Sequence, residues 1–103
     1  MTSPSHERPI RIAIADDQEL IRSAVATMVG SQDDLEVVLQ AGHGAELLEK
    51  VRSVKVDVVL MDIRMPVLDG VEATRRLRQS QPAVRVLILT TFDLDEYVFS
   101  ALR

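Results

Sequence analysis

The sequence predicts an α/β fold, a parallel β-sheet with helices packed on both of its faces. Short apolar, β-branched runs alternate along the chain with segments whose apolar residues recur at helical spacing. The alternation repeats four times in the order β-α-β-α-β-α-β-α, which is typical of parallel strands joined by crossover helices. With 103 residues, 47% of them hydrophobic, the chain is long enough to bury a core as one domain.

Each element is predicted from its own local pattern. The four strands are apolar runs bounded by polar residues or glycine: Ile10–Ala15, Leu35–Ala41, Val56–Met61 and Val84–Leu89. The helical stripes follow the strands in turn: Leu20–Gly30, Leu47–Val54, Val71–Leu77 and Asp93–Arg103. Asp69 and Glu72 have the spacing of a capping box before the third helix. His43, between two glycines, is predicted to be exposed and not catalytic, and the polar residues 1–9 to form a flexible leader.

Composition excludes several functions. Twelve Lys and Arg against sixteen Asp and Glu give a net charge of −4, and without a basic stripe these residues are a poor DNA binder by themselves. No apolar run approaches the roughly 18 residues that a membrane span needs, so no membrane partner is expected. The absence of an apolar leader and of Cys favours a cytoplasmic location.

Polar residues that can carry chemistry follow three of the predicted strands. Asp16 and Asp17 follow the first strand, Asp62 the third, and Thr90 and Thr91 the fourth. In parallel sheets the carboxyl ends of the strands share one edge, where ligands bind. Two unit charges 4 Å apart repel by about 4 kcal/mol at an effective dielectric of 20, so a cluster of carboxylates favours a bound cation. Oxygen ligands without His or Cys indicate Mg²⁺.

This set of groups suits phosphoryl transfer. The metal neutralises phosphoryl oxygens, the hydroxyl donates to one of them, and a carboxylate can act as the nucleophile. The competing interpretation is helix capping, because acids that follow strands often cap the next helix and Asp17 alone could do so. Capping does not explain the adjacent Asp pair together with Asp62 and the Thr residues, so a site is the favoured interpretation.

Three motifs, IAIADD, VVLMDIRMPVLDG and VLILTT, resemble the receiver domain of bacterial two-component response regulators. The resemblance runs from Ile10 to Arg103 and implies a flavodoxin-like doubly wound sheet with strand order 2-1-3-4-5. The segment TTFDLDEYVFSALR is similar to the NarL/LuxR-type subfamily. Members of that subfamily carry a C-terminal helix-turn-helix domain, so the resemblance implies that DNA is bound only through a domain outside this chain.

The resemblance also implies roles for individual residues. Asp62 would accept the phosphoryl group from a sensor histidine kinase. Asp17 would bind Mg²⁺ directly and Asp16 mostly through water, and the backbone carbonyl of Arg64 would be a further metal ligand.

At the fourth strand, the Thr90 hydroxyl would move to the phosphoryl oxygen and the Thr91 N–H would be a second donor. The sequence ends at Arg103, before the fifth strand and helix of the family pattern. Residues 10–103 are therefore expected to form a receiver domain with order 2-1-3-4 that lacks the family's strand-five Lys and aromatic residue. An uncovered fourth strand predicts a homodimer through an exposed or swapped edge.

The leading functional prediction is a phosphorylation-activated switch for a transcriptional output. Such a domain catalyses only its own phosphorylation and dephosphorylation and is not an enzyme in the turnover sense. A Mg²⁺-dependent aspartyl-phosphate hydrolase is disfavoured, because haloacid-dehalogenase-like enzymes carry Asp-x-Asp after the first strand, whereas Asp16 and Asp17 are adjacent. The remaining alternative is a phosphorylation-independent interaction or dimerisation module.

Overall fold

The structure is a computed structural model and describes residues 8–63, 65 and 68–89. In this part of the chain four strands and three helices alternate: β1 Ile10–Ala15, α1 Glu19–Gly30, β2 Leu35–Ala41, α2 Gly44–Lys50, β3 Val58–Asp62, α3 Gly70–Ser80 and β4 Arg85–Leu89. All strand pairs are parallel and the sheet order is β2-β1-β3-β4, which confirms the predicted α/β class and the order 2-1-3-4. The predicted helix Asp93–Arg103 and residues 1–7 of the predicted leader lie outside the described residues. Within the described ranges, no helix combines the length and apolarity needed to cross a bilayer.

Strand register brings the carboxyl ends of all four strands to one edge of the sheet. Ala15 at the end of β1 pairs with Met61 of β3, and Asp62 pairs with Leu89 at the end of β4. On the other side of β1, Ala15 also pairs with Ala41, the last residue of β2. Residues that directly follow β1 therefore begin beside Asp62.

The third strand is displaced from its predicted range Val56–Met61. It begins at Val58, two residues later than predicted. The Asp57 carboxylate accepts the backbone N–H of Arg11 at 2.9 Å, in place of a carbonyl oxygen of the strand. Val56 is only 6% exposed and packs in the core without belonging to the strand. At the other end β3 includes Asp62, so the candidate phosphoacceptor is the last residue of a strand and not the first residue of a loop.

The core has two faces because successive strand residues point to opposite sides of the sheet. Residues on one side form a cluster with the buried faces of α2 and α3: Ala13, Ala15, Leu39, Ala41, Leu47, Val51, Val56, Val59, Met61, Met65, Ala73, Leu77 and Val84. The alternate residues Ile12 and Ile14 are also buried, on the side of β1 away from that cluster. Helix α1 contacts β1 and β2 but has no fully buried residue, and Leu20 and Met28 of its predicted apolar stripe face solvent.

The helix starts differ in part from their predictions. Asp69 caps α3 by accepting the N–H of Glu72 at 2.9 Å, whereas the Glu72 carboxylate pairs forward with Arg75 and Arg76. The first half of the predicted capping box is thus present. His43 is half-buried, and its Nδ1 accepts the N–H of residue 46 to cap α2, so the prediction of a merely exposed loop histidine is wrong.

Candidate functional site

Three carboxylates meet at the carboxyl edge of the sheet. Asp16, Asp17 and Asp62 each offer one oxygen atom, and these atoms all lie within 4.8 Å of one another. Asp16 is 1% exposed and Asp62 is 0% exposed, whereas Asp17 is open to solvent. The parallel topology thus gathers acids from β3 and from the loop after β1 into a cluster that is reached from solvent on the Asp17 side.

Asp16 is held by hydrogen bonds to the end of β2, to the N-cap residue of α1 and to α1 itself. Its N–H donates to the Ala41 carbonyl at the end of β2, at 3.0 Å. Its carboxylate Oδ1 accepts the N–H of Gln18 at 2.9 Å, and its own carbonyl oxygen accepts from Arg22 Nη1 of α1 at 2.8 Å. These hydrogen bonds therefore restrain both the backbone and the side chain of Asp16.

Asp17 does not cap the helix that follows it. Helix α1 begins at Glu19, its N-cap residue is Gln18, and that residue makes no side-chain cap hydrogen bond. The capping interpretation of Asp17 is wrong, and its carboxylate instead belongs to the acidic cluster.

The first residue of α3, Gly70, lies against the end of β3. Gly70 donates its N–H to the Ile63 carbonyl at 2.7 Å, and a Cβ at Gly70 would run into the carbonyl oxygen of Asp62. A Cβ at Gly44, the first residue of α2, would similarly meet the carbonyl oxygen of Leu68. Both glycines are required for space, because a side chain at either position would overlap these backbone atoms.

The chemistry of the donor set fits a hard divalent cation. At an effective dielectric of 20, two carboxylate charges about 4.8 Å apart repel by roughly 3 kcal/mol. Two of the three groups are almost completely buried, so water screens them poorly. A cation that prefers oxygen ligands, such as Mg²⁺, would offset this repulsion if these three carboxylates held it.

The other predicted site residues cannot be placed. Arg64, Thr90 and Thr91 lie outside the described residues, as does Pro66 of the Met65-Pro66 pair. Leu89, which precedes Thr90 in the sequence, pairs with Asp62. Met65, which follows Arg64, is 7% exposed and belongs to the core cluster.

A supporting network near the cluster was not predicted from the sequence. Glu46 Oε1 accepts the N–H of Gly42 at 2.7 Å, and its Oε2 pairs with Lys50 Nζ at 2.8 Å. The hydrogen bonds from Lys50 and then from the Gly42 N–H lower the pKa of Glu46. The Glu46–Lys50 pair has the helical i,i+4 spacing that a sequence search could find. The link from Arg22 to Asp16 has no such local signal, because it joins a helix to the end of the preceding strand.

The fold and the acidic edge are those of a known family of signalling domains. Residues 12–103 match the response regulator receiver domain family, and the chain belongs to it. Phosphorylation-activated signalling is the general function of this family, which consists of signalling domains rather than classical enzymes. A phosphorylation-independent module is not favoured.

Among curated relatives, the chain is 40% identical over 94 residues to the uncharacterized transcriptional regulatory protein YxjL of Bacillus subtilis, covering 91% of this chain and 43% of that protein. It is 43% identical over 88 residues to the response regulator GacA of Pseudomonas viridiflava, covering 85% of this chain and 41% of that protein. The chain therefore spans less than half the length of these relatives.

Solved structures show the same fold. The signal receiver domain of the putative response regulator NarL from Mycobacterium tuberculosis superposes with a TM-score of 0.76 at 32% identity, over 91% of this chain and 76% of that one. The response regulator domain of Thermotoga maritima CheB gives a TM-score of 0.75 at 37% identity, over 79% and 60% of the two chains. A LuxR-family response regulator from Aurantimonas is also similar, with a TM-score of 0.74 at 32% identity over 78% and 57%.

Proposed function

We propose that this chain is a phosphoacceptor switch in which Asp62 receives a phosphoryl group from a sensor histidine kinase. The observation that carries the proposal is the convergence of Asp16, Asp17 and Asp62 within 4.8 Å at the carboxyl edge of the sheet. Asp62 ends β3 and is backed by the core, so its carboxylate has a fixed position for attack. In the transfer, a carboxylate oxygen of Asp62 bonds to phosphorus as the bond from phosphorus to the donor histidine nitrogen breaks.

The acidic cluster is proposed to hold Mg²⁺. Asp17 and Asp62 would bind it directly, Asp16 mostly through water, and the Arg64 carbonyl would be a further ligand. Bound Mg²⁺ neutralises the charge of phosphoryl oxygens. The hydrogen bonds of Asp16 to Ala41, Gln18 and Arg22 would keep the cluster in the arrangement that binding requires.

Two groups at the end of β4 are proposed to bind the transferred phosphoryl group. The Thr90 hydroxyl would donate to one phosphoryl oxygen, and the Thr91 backbone N–H would donate to another. Hydrogen bonds to an ionised acceptor are stronger than neutral ones, so phosphorylation would bias the position of this segment. The proposed reaction is self-catalysed, both for phosphorylation and for the slow hydrolysis that resets the switch.

The output is proposed to be transcriptional and to lie in a domain outside this chain. Support comes from relatives named as transcriptional regulators, of which this chain covers less than half. A homodimer of cytoplasmic protein is proposed to couple the receiver to DNA. Leu87 and Ile88 of β4 are 58% and 43% exposed at the edge of the described sheet, which is an apolar surface that a second copy could cover.

The decisive experiment is intact mass spectrometry after incubation with Mg²⁺ and acetyl phosphate. The chain should gain the mass of one phosphoryl group, and the Asp62→Asn variant should not. The matched control is Asp57→Asn, because Asp57 is a half-buried aspartate just before β3 whose carboxylate accepts the Arg11 N–H at the opposite edge of the sheet. That control should keep the adduct. An adduct on Asp62→Asn, or none on the unaltered chain, would contradict the proposal.

A further inference from the structure

The side chain of Arg22 links helix α1 to the backbone beside the acidic cluster. Its Nη1 donates to the carbonyl oxygen of Asp16 at 2.8 Å, across six residues and outside the regular helical pattern. A Cβ on Gly42 would lie 3.6 Å from this nitrogen and also 3.6 Å from Glu46 Oε1. The half-buried guanidinium therefore sits where the loops after β1 and β2 meet.

Arg22 supplies one of the hydrogen bonds that hold Asp16. The Asp16 N–H donates to Ala41 and its Oδ1 accepts the N–H of Gln18, whereas Arg22 donates to the carbonyl oxygen that leads into Asp17. The hydrogen bond from Arg22 restrains the peptide between Asp16 and Asp17. The orientation of that peptide helps to set the position of the Asp17 carboxylate, the exposed member of the cluster.

We propose that Arg22 is a positioning residue for the cation held by Asp16, Asp17 and Asp62. It acts through the Asp16 carbonyl and does not touch the cation. The inference rests on the proposed function, because it requires the acidic cluster to bind Mg²⁺. Groups that orient metal ligands typically contribute 10–100-fold to metal affinity.

The positional and electrostatic effects of Arg22 have opposite signs, so they can be separated. A positive charge near a cation site repels the cation, and its removal should by that effect alone tighten Mg²⁺ binding. Loss of positioning should weaken binding. The direction of the change in affinity therefore reports which effect dominates.

The test is a MgCl₂ titration of the ¹⁵N-labelled chain, following the amide of Gln18, which donates to Asp16 Oδ1. Arg22→Met, which keeps the stem and removes the donor and the charge, should raise the dissociation constant about tenfold. Arg22→Lys, which restores a charged donor without the fork geometry, should recover part of that loss. Arg11→Met is the matched control, because Arg11 Nε also donates to a backbone carbonyl, that of Lys55 at 2.7 Å, but at the start of β1. It should leave the dissociation constant unchanged.

Each outcome is decisive. A dissociation constant for Arg22→Met that equals or falls below that of the unaltered chain overturns the positioning role, and a lower value identifies Arg22 as a repelling charge. If Arg22→Met does not fold, the dissociation constant of Arg22→Lys decides. A value above that of the unaltered chain supports the role, and an equal value overturns it. Failure of the unaltered chain to bind Mg²⁺ overturns the proposed function itself, which distinguishes that failure from one that concerns Arg22 alone.

Discussion

Gly70, the first residue of α3, tests how tightly the start of this helix packs against the end of β3. In Gly70→Ala the new Cβ would lie against the carbonyl oxygen of Asp62, 2.8 Å from Ile63 Cα and 3.0 Å from the Asp62 carbonyl carbon. All three neighbours are backbone atoms, so no change of rotamer can relieve the overlap. Ordinary Cβ contacts begin at 3.4 Å, so Ile63 Cα must move by about 3.4 − 2.8 = 0.6 Å and the nearer Asp62 carbonyl oxygen must move further.

The expected loss of stability follows from two opposing contributions. Overpacking of this kind costs about 1–3 kcal/mol, whereas alanine in place of glycine in a helix contributes up to about 1 kcal/mol of stabilisation. The net loss in free energy of unfolding should be about 1–2 kcal/mol, which lowers the melting temperature by roughly 4–8 °C per kcal/mol. Mg²⁺ affinity should fall as well, because the displaced atoms belong to Asp62 and its neighbour.

Urea unfolding followed by circular dichroism measures this loss. The matched control is Gly30→Ala at the end of α1, where a Cβ would have nothing within 4 Å. Gly30→Ala should be neutral or slightly stabilising. If Gly70→Ala proves as stable as Gly30→Ala, the close packing of Gly70 against Asp62 is refuted.

Three further predictions address the core, a surface network and the metal site. Leu77→Ala, at a fully buried position of α3, should lose about 2–5 kcal/mol in urea unfolding, whereas Leu20→Ala at an 84% exposed position should change stability by less than about 0.5 kcal/mol; equal losses would refute the assignment of core and surface. Hydrogen bonds from Arg75 and Arg76 lower the pKa of Glu72 to about 2, so its stabilising effect is complete above its ordinary pKa of 4.5 and is lost as the pH falls from 4.5 to 2. The stability difference between the chain and Glu72→Gln, followed by thermal unfolding across that range, should shrink with falling pH, and a constant difference would contradict the pairing. Mg²⁺ should raise the melting temperature of the unaltered chain, by an amount that corresponds to about 2.7 kcal/mol at one hundred times its dissociation constant, and should do so far less for Asp62→Asn; an equal rise in both would place the cation elsewhere.

Much of the fold could be predicted because its signals are local. The ranges of β1 and β2 are confirmed as predicted, since each is an apolar, β-branched run bounded by polar residues or glycine. The convergence of Asp16, Asp17 and Asp62 also followed from the sequence, because parallel strands must place their carboxyl ends on one edge.

The structure differs from the predicted elements where a distant segment binds a backbone group or leaves a helix face uncovered. The start of β3 was misplaced because the Asp57 side chain binds Arg11, a residue 46 positions away. The predicted apolar stripe of α1 is broader than the face that the sheet covers. Periodicity identifies an apolar helix face, but it does not show how much of that face a neighbouring element covers. Leu20 and Met28 therefore stay exposed although they share the helical spacing of the residues that face the sheet.

The sequence pattern is enough to predict the alternating elements, the parallel strands and the acids at the strand ends, because the hydrophobic period is a property of neighbouring residues and alternation with helices favours parallel strands. How those acids are held depends on the tertiary structure. Arg22 on the Asp16 carbonyl and Gly70 beneath Asp62 depend on distances between segments that meet only after folding. A hydrogen bond or a steric fit between such segments has no period along the chain, and it becomes visible only once the sheet has brought them together.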